Sequence, residues 1–151
     1  MFGIGAGKAE LKLPETVYAP GQAIKGKLLL TLSGPINADG VTVKLYAEQT
    51  FRESAPKGRT NTVTRRIYEL PVTLDGKKEY PKTAEPLSYD FKLVVPENAK
   101  QIGAPSGSVI SIGPITLSSN RGPTGPPKWF VEGQLDIPMA FDIKARTQII
   151  V

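Results

Sequence analysis

Neither cysteine nor histidine occurs among the 151 residues of this chain. The first absence excludes disulfides and thiolate metal ligands, and the second excludes imidazole ligands. Together they remove Cys–His and Ser–His nucleophilic catalysis from a single chain. Lack of both residues also fits a thermophile's avoidance of labile side chains. No run of about 18 apolar residues is present, so no transmembrane helix is predicted. The opening Met1-Phe2-Gly3-Ile4-Gly5-Ala6-Gly7-Lys8 is too short and too rich in glycine for a secretory leader. These absences predict a soluble, cytoplasmic protein. No window carries sustained helical periodicity.

Glycine (15) and proline (14) are instead spread along the whole chain, and 40% of residues are hydrophobic, enough for one packed core. One domain is expected over residues 1–151. The formal charge is +5. Such a charge attracts acidic membranes, nucleic acid or acidic proteins, but basic and acidic residues alternate along the chain, which reads first as solubility.

Period-two alternation is the main structural signal. Ala9, Leu11 and Leu13 alternate with Lys8, Glu10 and Lys12 up to Pro14. Pro20-Gly21 forms a turn, and Ala23–Leu32 follows as a strand with Ile24, Leu28, Leu30 and Leu32 on one face. Gly26 within it predicts a bulge or a close backbone approach. Val41, Val43, Leu45, Ala47 and Phe51 mark the cleanest half-buried strand. Residues Arg52 to Arg59 read as a polar loop. Thr60 to Leu74 alternates poorly, places Arg65 and Glu69 on the face of Val63 and Ile67, and contains Pro71; it reads as an edge or bulged strand. Asp75-Gly76 is a hairpin turn, with Lys77–Tyr80 returning from it. Tyr89, Phe91, Leu93 and Val95 give another strand. The stretch Glu97–Pro127 is loop-like, with one strand over Val109–Leu117 interrupted by Gly113-Pro114. Ser118–Pro127 resists regular structure. Strands at Trp129–Ile137 and Ile143–Val151 complete the set. The fold class is all-β, an antiparallel two-sheet sandwich.

Chemistry-bearing motifs are few. Gly3-Ile4-Gly5-Ala6-Gly7-Lys8 has the wrong spacing for a phosphate-binding loop and neither a strand before it nor a helix after it. Glu132 and Asp136 share a strand face, but that is the solvent side, where charge belongs. No acid cluster has calcium-loop spacing. No catalytic residues, cofactor or metal are therefore assigned. Arg52, Lys57, Arg59, Arg65 and Arg66 form a basic cluster suited to phosphate, lipid headgroups or an acidic peptide, although such charges also protect an edge strand from aggregation. Nucleic-acid binding calls for interleaved aromatics, and Tyr68 alone is thin support. Arg121–Pro126 fits a Pro-x-x-Pro form and reads as a stiff surface loop.

Four stretches carry a family resemblance. They are Phe2-Gly3-Ile4-Gly5-Ala6-Gly7-Lys8-Ala9; Tyr18-Ala19-Pro20-Gly21 with the following Ile24 and Gly26; Ser88–Asn98; and Trp129–Pro138. In order and spacing they resemble the arrestin N-terminal-type domain, and most nearly its sporulation-control (SpoOM-like) relatives. The resemblance implies an immunoglobulin-like sandwich that serves as a non-catalytic adaptor or regulatory scaffold. Most relatives carry two such sandwiches, and this chain stops at Val151, where a first would end; self-association is the expected compensation. The candidate partner-binding residues are Arg59, Arg65, Arg66 and Tyr68, and the partner is a protein segment or a second copy added at a sheet edge. The alternative is a peripheral membrane or anionic-ligand binder using Arg52–Arg66. No nucleic acid partner is expected.

Overall fold

A computed structural model describes residues 7–54, 56–103, 110–112, 115–117, 122–139 and 142–151. In chain order the strands are β1 (Gly7–Lys12), β2 (Ala23–Leu32), β3 (Ile36–Ala38), β4 (Gly40–Ser54), β5 (Thr60–Asp75), β6 (Lys78–Tyr80), β7 (Leu87–Val94), β8 (Ile110–Ile112), β9 (Ile115–Leu117), β10 (Gly122–Pro123), β11 (Lys128–Asp136) and β12 (Ile143–Ile149). Among the described residues the only helical pieces are two short 3₁₀ turns, and no helix is long and apolar enough to cross a membrane. The glycine-rich lead Phe2–Ala6 and residues Ser118–Arg121 lie outside the described residues.

Two antiparallel sheets face each other. One has the order β1-β2-β7. The other runs β5-β4-β11-β12, with β10 beside the far end of β4. Alternation builds both: Ile24, Leu28, Leu30 and Leu93 from the first sheet meet Val41, Val43, Leu45, Val131 and Leu135 from the second, all buried. At Gly26 and Gly133 the absent side chain makes room for a core side chain. A Cβ on Gly26 would lie 2.6 Å from the Phe91 ring, and one on Gly133 would lie 2.6 Å from a Leu28 methyl. The mid-strand glycine predicted as a close approach is one, and a second glycine in the facing sheet receives Leu28. The Pro20-Gly21 turn forms with Gly21 at φ 83° and Gln22 N–H donating to the Ala19 carbonyl at 3.0 Å.

Four expectations are corrected. Arg52–Ser54 belongs to β4 rather than to a loop, because β5 and β10 both pair with it. Lys78–Tyr80 pairs with β3 and not with β5. Val109–Leu117 holds two strands, β8 and β9, folded back on each other (Ile110 opposite Leu117, Ile112 opposite Ile115), and not one interrupted strand. Within Ser118–Pro127, Gly122–Pro123 pairs with Phe51 and Arg52 as β10.

Asp75 closes the β5–β6 corner. It accepts hydrogen bonds from the Gly76 N–H and the Tyr89 hydroxyl at 2.8 Å each and pairs with Lys78 at 2.9 Å. Lys78 first, then Tyr89, hold its carboxyl below the ordinary value of 3.8. A carboxyl depressed in the folded state stabilises above its unfolded value and loses that contribution as pH falls through the folded one. Asp75→Asn should therefore weaken the fold at neutral pH and flatten the loss of stability between about pH 5 and pH 2. Urea midpoints across that range measure it, and parallel pH profiles for the two proteins would refute the role.

Candidate functional site

Among the described residues β5 is the longest strand, with 16 residues, and it pairs with β4 alone. Two register shifts interrupt that pairing, between Val41 and Thr42 and between Ala47 and Glu48 of β4. Each leaves one unopposed residue in β5, Leu74 and Ile67. Such bulges bend a strand and strengthen its twist. Beyond the second bulge, Thr60–Arg66 runs in unbroken register with Glu48–Ser54. This outer half projects past the end of β11, where β4 is steadied on its other side by β10. There Thr124 N–H donates to the Thr50 carbonyl at 2.8 Å, and the Gln49 amide donates to the Gly125 carbonyl at 3.0 Å.

The Ile67 bulge decides where the candidate residues point. Arg66 lies opposite Glu48 on the outward face, whereas Arg65 lies opposite Gln49 on the other. Glu69, opposite Tyr46, is on the outward face, so Arg65 and Glu69 do not share a face as the plain alternation predicts; one inserted residue reverses the order. Arg65 is ion-paired with Glu53. Arg66 pairs with Glu69 at 2.7 Å and with Glu48 at 3.8 Å, and its guanidinium holds the Glu69 carboxyl below its usual range. Arg59 stands exposed just before β5, after Lys57 and Gly58, both at positive φ (64° and 73°). Tyr68 turns inward, its ring 5.4 Å from that of Trp129. The basic cluster is thus divided between two faces and the arm's tip, with two of its arginines neutralised by carboxylates.

The outward face carries an assembly that the sequence reading did not identify. Tyr46 and Phe130 stack across β4 and β11 with centroids 5.3 Å apart. The Arg66 guanidinium lies 3.8 Å above the Tyr46 ring, and that of Arg146 lies 4.4 Å above Phe130. Arg146 also donates to the Tyr46 hydroxyl at 3.2 Å. Beneath these cations the rings are only 1% and 7% exposed, although they stand on an outer face. Glu132 is likewise 7% exposed, paired with Lys44 at 3.5 Å. Its expected place in solvent is corrected, since neighbouring side chains cover it. Three cations (Lys44, Arg66, Arg146) meet three carboxylates (Glu48, Glu69, Glu132) on this face. Among the described residues no acidic group gathers in the manner of a metal site.

An all-β sandwich with this strand order and a Pro-Gly turn feeding β2 invites comparison with known proteins. The sequence model of the arrestin (or S-antigen) N-terminal domain matches residues 8–151. The chain belongs to that family. This arrestin-type domain is also similar in structure to Spo0M, the sporulation control protein from Bacillus subtilis, with a TM-score of 0.63 and 16% sequence identity. The match covers 97% of this chain and 49% of the Spo0M chain, so the domain spans about half of that protein. No curated protein matched the sequence.

The signals for the arginine–aromatic assembly are present in the arrestin-type sequence but separated. Tyr46 alternates out of phase with Leu45, and Phe130 with Val131, so both announce an outer face. That they meet depends on the pairing of β4 with β11, which no local pattern supplies.

Proposed function

We propose that this arrestin-type domain is a non-catalytic interaction module of adaptor or regulatory type, which recruits an extended strand from a partner or a second copy along the free edge of β5. One observation carries this reading. β5 presents one whole side without a strand neighbour among the described residues, and its Thr60–Arg66 half is regular and projecting. An open edge supplies unpaired N–H and C=O groups that an incoming strand completes. The bulges at Ile67 and Leu74 shield the remainder, leaving the arm as the accessible part. Membership of the arrestin family and likeness to a sporulation control protein support a regulatory role over a chemical one. The ion pairs of Arg65 and Arg66 disfavour an anionic surface here, because those charges are already compensated.

Backbone N–H groups alternate in direction along a strand. Of two adjacent substitutions, Thr62→Pro and Val63→Pro, one therefore removes a donor facing β4 and the other a donor facing outward. The parent should associate at high micromolar concentration in light scattering. The outward-facing proline should abolish association while keeping the melting midpoint, and the other should lower the midpoint. A parent that stays monomeric overturns self-association. A parent whose association survives both prolines overturns use of this edge.

A further inference from the structure

The three-stranded sheet turns outward a face on which lysines outnumber acids. Lys8, Glu10 and Lys12 stand there on β1, Lys25 and Lys27 on β2, and Asp90 and Lys92 on β7. Glu10 pairs with Lys12 at 3.8 Å and Asp90 with Lys27 at 3.7 Å. Lys25 and Lys92 are direct cross-strand partners, and among the described residues neither meets an acidic group. Like charges placed opposite one another cost stability, and an anion between them removes that cost.

Backbone on the same spot is also open. β1 ends at Lys12, opposite Lys27, and the chain leaves at Pro14. Ala23–Gly26 of β2 continues with β7 on one side and, among the described residues, no strand on the other. A shallow, open groove of about 710 Å³ lies here; Leu13, Pro14, Gly26 and Phe91 line it beside Lys25 and Lys92, and so does Asp90, whose carboxylate is already paired with Lys27.

We propose that this groove binds an extended acidic segment of a partner protein. Its backbone continues the line of β1 against Ala23–Gly26, its carboxylates meet Lys25 and Lys92, and an apolar residue covers Leu13. The site belongs to the opposite sheet from β5 and does not depend on that edge. Three observations converge on it: a cation pair without an acidic partner, a shallow apolar lining and unpaired strand backbone. A membrane surface fits only the first of these. It is not shaped to enter a groove, and it offers no ordered run of backbone donors and acceptors.

The test uses a labelled, end-capped peptide of alternating glutamate and valine, a lysine–valine counterpart, and vesicles with and without phosphatidylserine. The acidic peptide should bind and the basic one should not. Binding should weaken with added salt, fall about tenfold in the double variant Lys25→Glu/Lys92→Glu, and slow amide exchange within Ala23–Gly26. Both lysines are exposed, so the variant should melt with the parent; Lys25→Gln/Lys92→Gln gives a milder second measurement with the same sign. Absence of peptide binding, binding indifferent to both variants, or variant-sensitive binding to phosphatidylserine vesicles alone would each overturn the proposal.

Discussion

Leu28→Ala should lower the free energy of unfolding by about 3 kcal/mol, read from urea titration of the fluorescence of Trp129, the only tryptophan. Leu28 is fully buried, and its methyl groups fill the space that Gly133 leaves open in the facing strand. Truncation removes apolar contact and leaves a cavity, since the β-sheet backbones on both sides relax only in part. Gly133→Ala attacks the same contact from the other side. Its added Cβ falls 2.6 Å from one Leu28 methyl and 3.2 Å from the branching carbon, inside van der Waals distance. That substitution alone should cost about 2 kcal/mol through overpacking. The double variant is the sharper measurement, because alanine at 133 partly refills what alanine at 28 removes. Its cost should fall short of the sum of the single costs by at least about 1 kcal/mol. Additivity of the two changes would mean that the knob and its notch do not touch in solution.

The second large effect is expected at Tyr46. Tyr46→Ala should cost about 3 kcal/mol, a value ordinarily found for aromatics in cores and not on outer sheet faces. The reason is its shielding: the ring stacks on Phe130 and lies under Arg66. Removing it strips both guanidinium groups of a partner, since Arg146 also loses the hydroxyl to which it donates. Tyr46→Phe keeps the stack and deletes only that hydrogen bond, so it should cost about 1 kcal/mol. The ratio between the two variants is informative. Near-equal losses would place the energy in the hydroxyl, and a small loss for alanine would show that the guanidinium lid contributes little. Arg66→Ala should fall between them, because a cation over a ring contributes about 1 kcal/mol and its ion pairs with Glu48 and Glu69 are partly exposed.

Much of the fold is legible in the sequence wherever one strand face is buried and the other is wet. β2, β7 and β12 satisfy that condition, and their alternation marks both the strand and its inward side; β4 and β11 alternate in sequence too, but their outer faces are covered by neighbouring side chains. Gly26 also signals its own close approach. Legibility fails where an element depends on something distant. The bulge at Ile67 is a property of the β4–β5 pairing, and a one-residue slip is enough to send Arg65 and Arg66 to opposite faces. β10 has only two residues and exists because β4 continues past β11. The β8–β9 pair is too short for a two-residue period to emerge. Glu132 looks like a solvent-facing acid until the paired strands bring Lys44 to it, along with the Arg146 opposite it in β12. The same limit hid Lys25 and Lys92. Each sits on a visibly charged face, yet only strand register sets one against the other. Arg65, Arg66 and Tyr68 are readable in the sequence as parts of one strand, but the directions of their side chains come from pairing.

The two flanks of the sandwich are fastened unequally. On the flank where β1 lies over β12, Tyr18 N–H donates to the Ile150 carbonyl and Ile150 N–H donates to the Thr16 carbonyl, both at 2.8 Å. On the flank where β7 lies over β5, the described tie between the layers is one side-chain bond, from Tyr89 to Asp75. The layers behave like a book with a stitched spine and a single clasp. Amide exchange should accordingly be faster on the β5–β7 flank than on the β1–β12 flank, and acid, by protonating Asp75, should widen the difference.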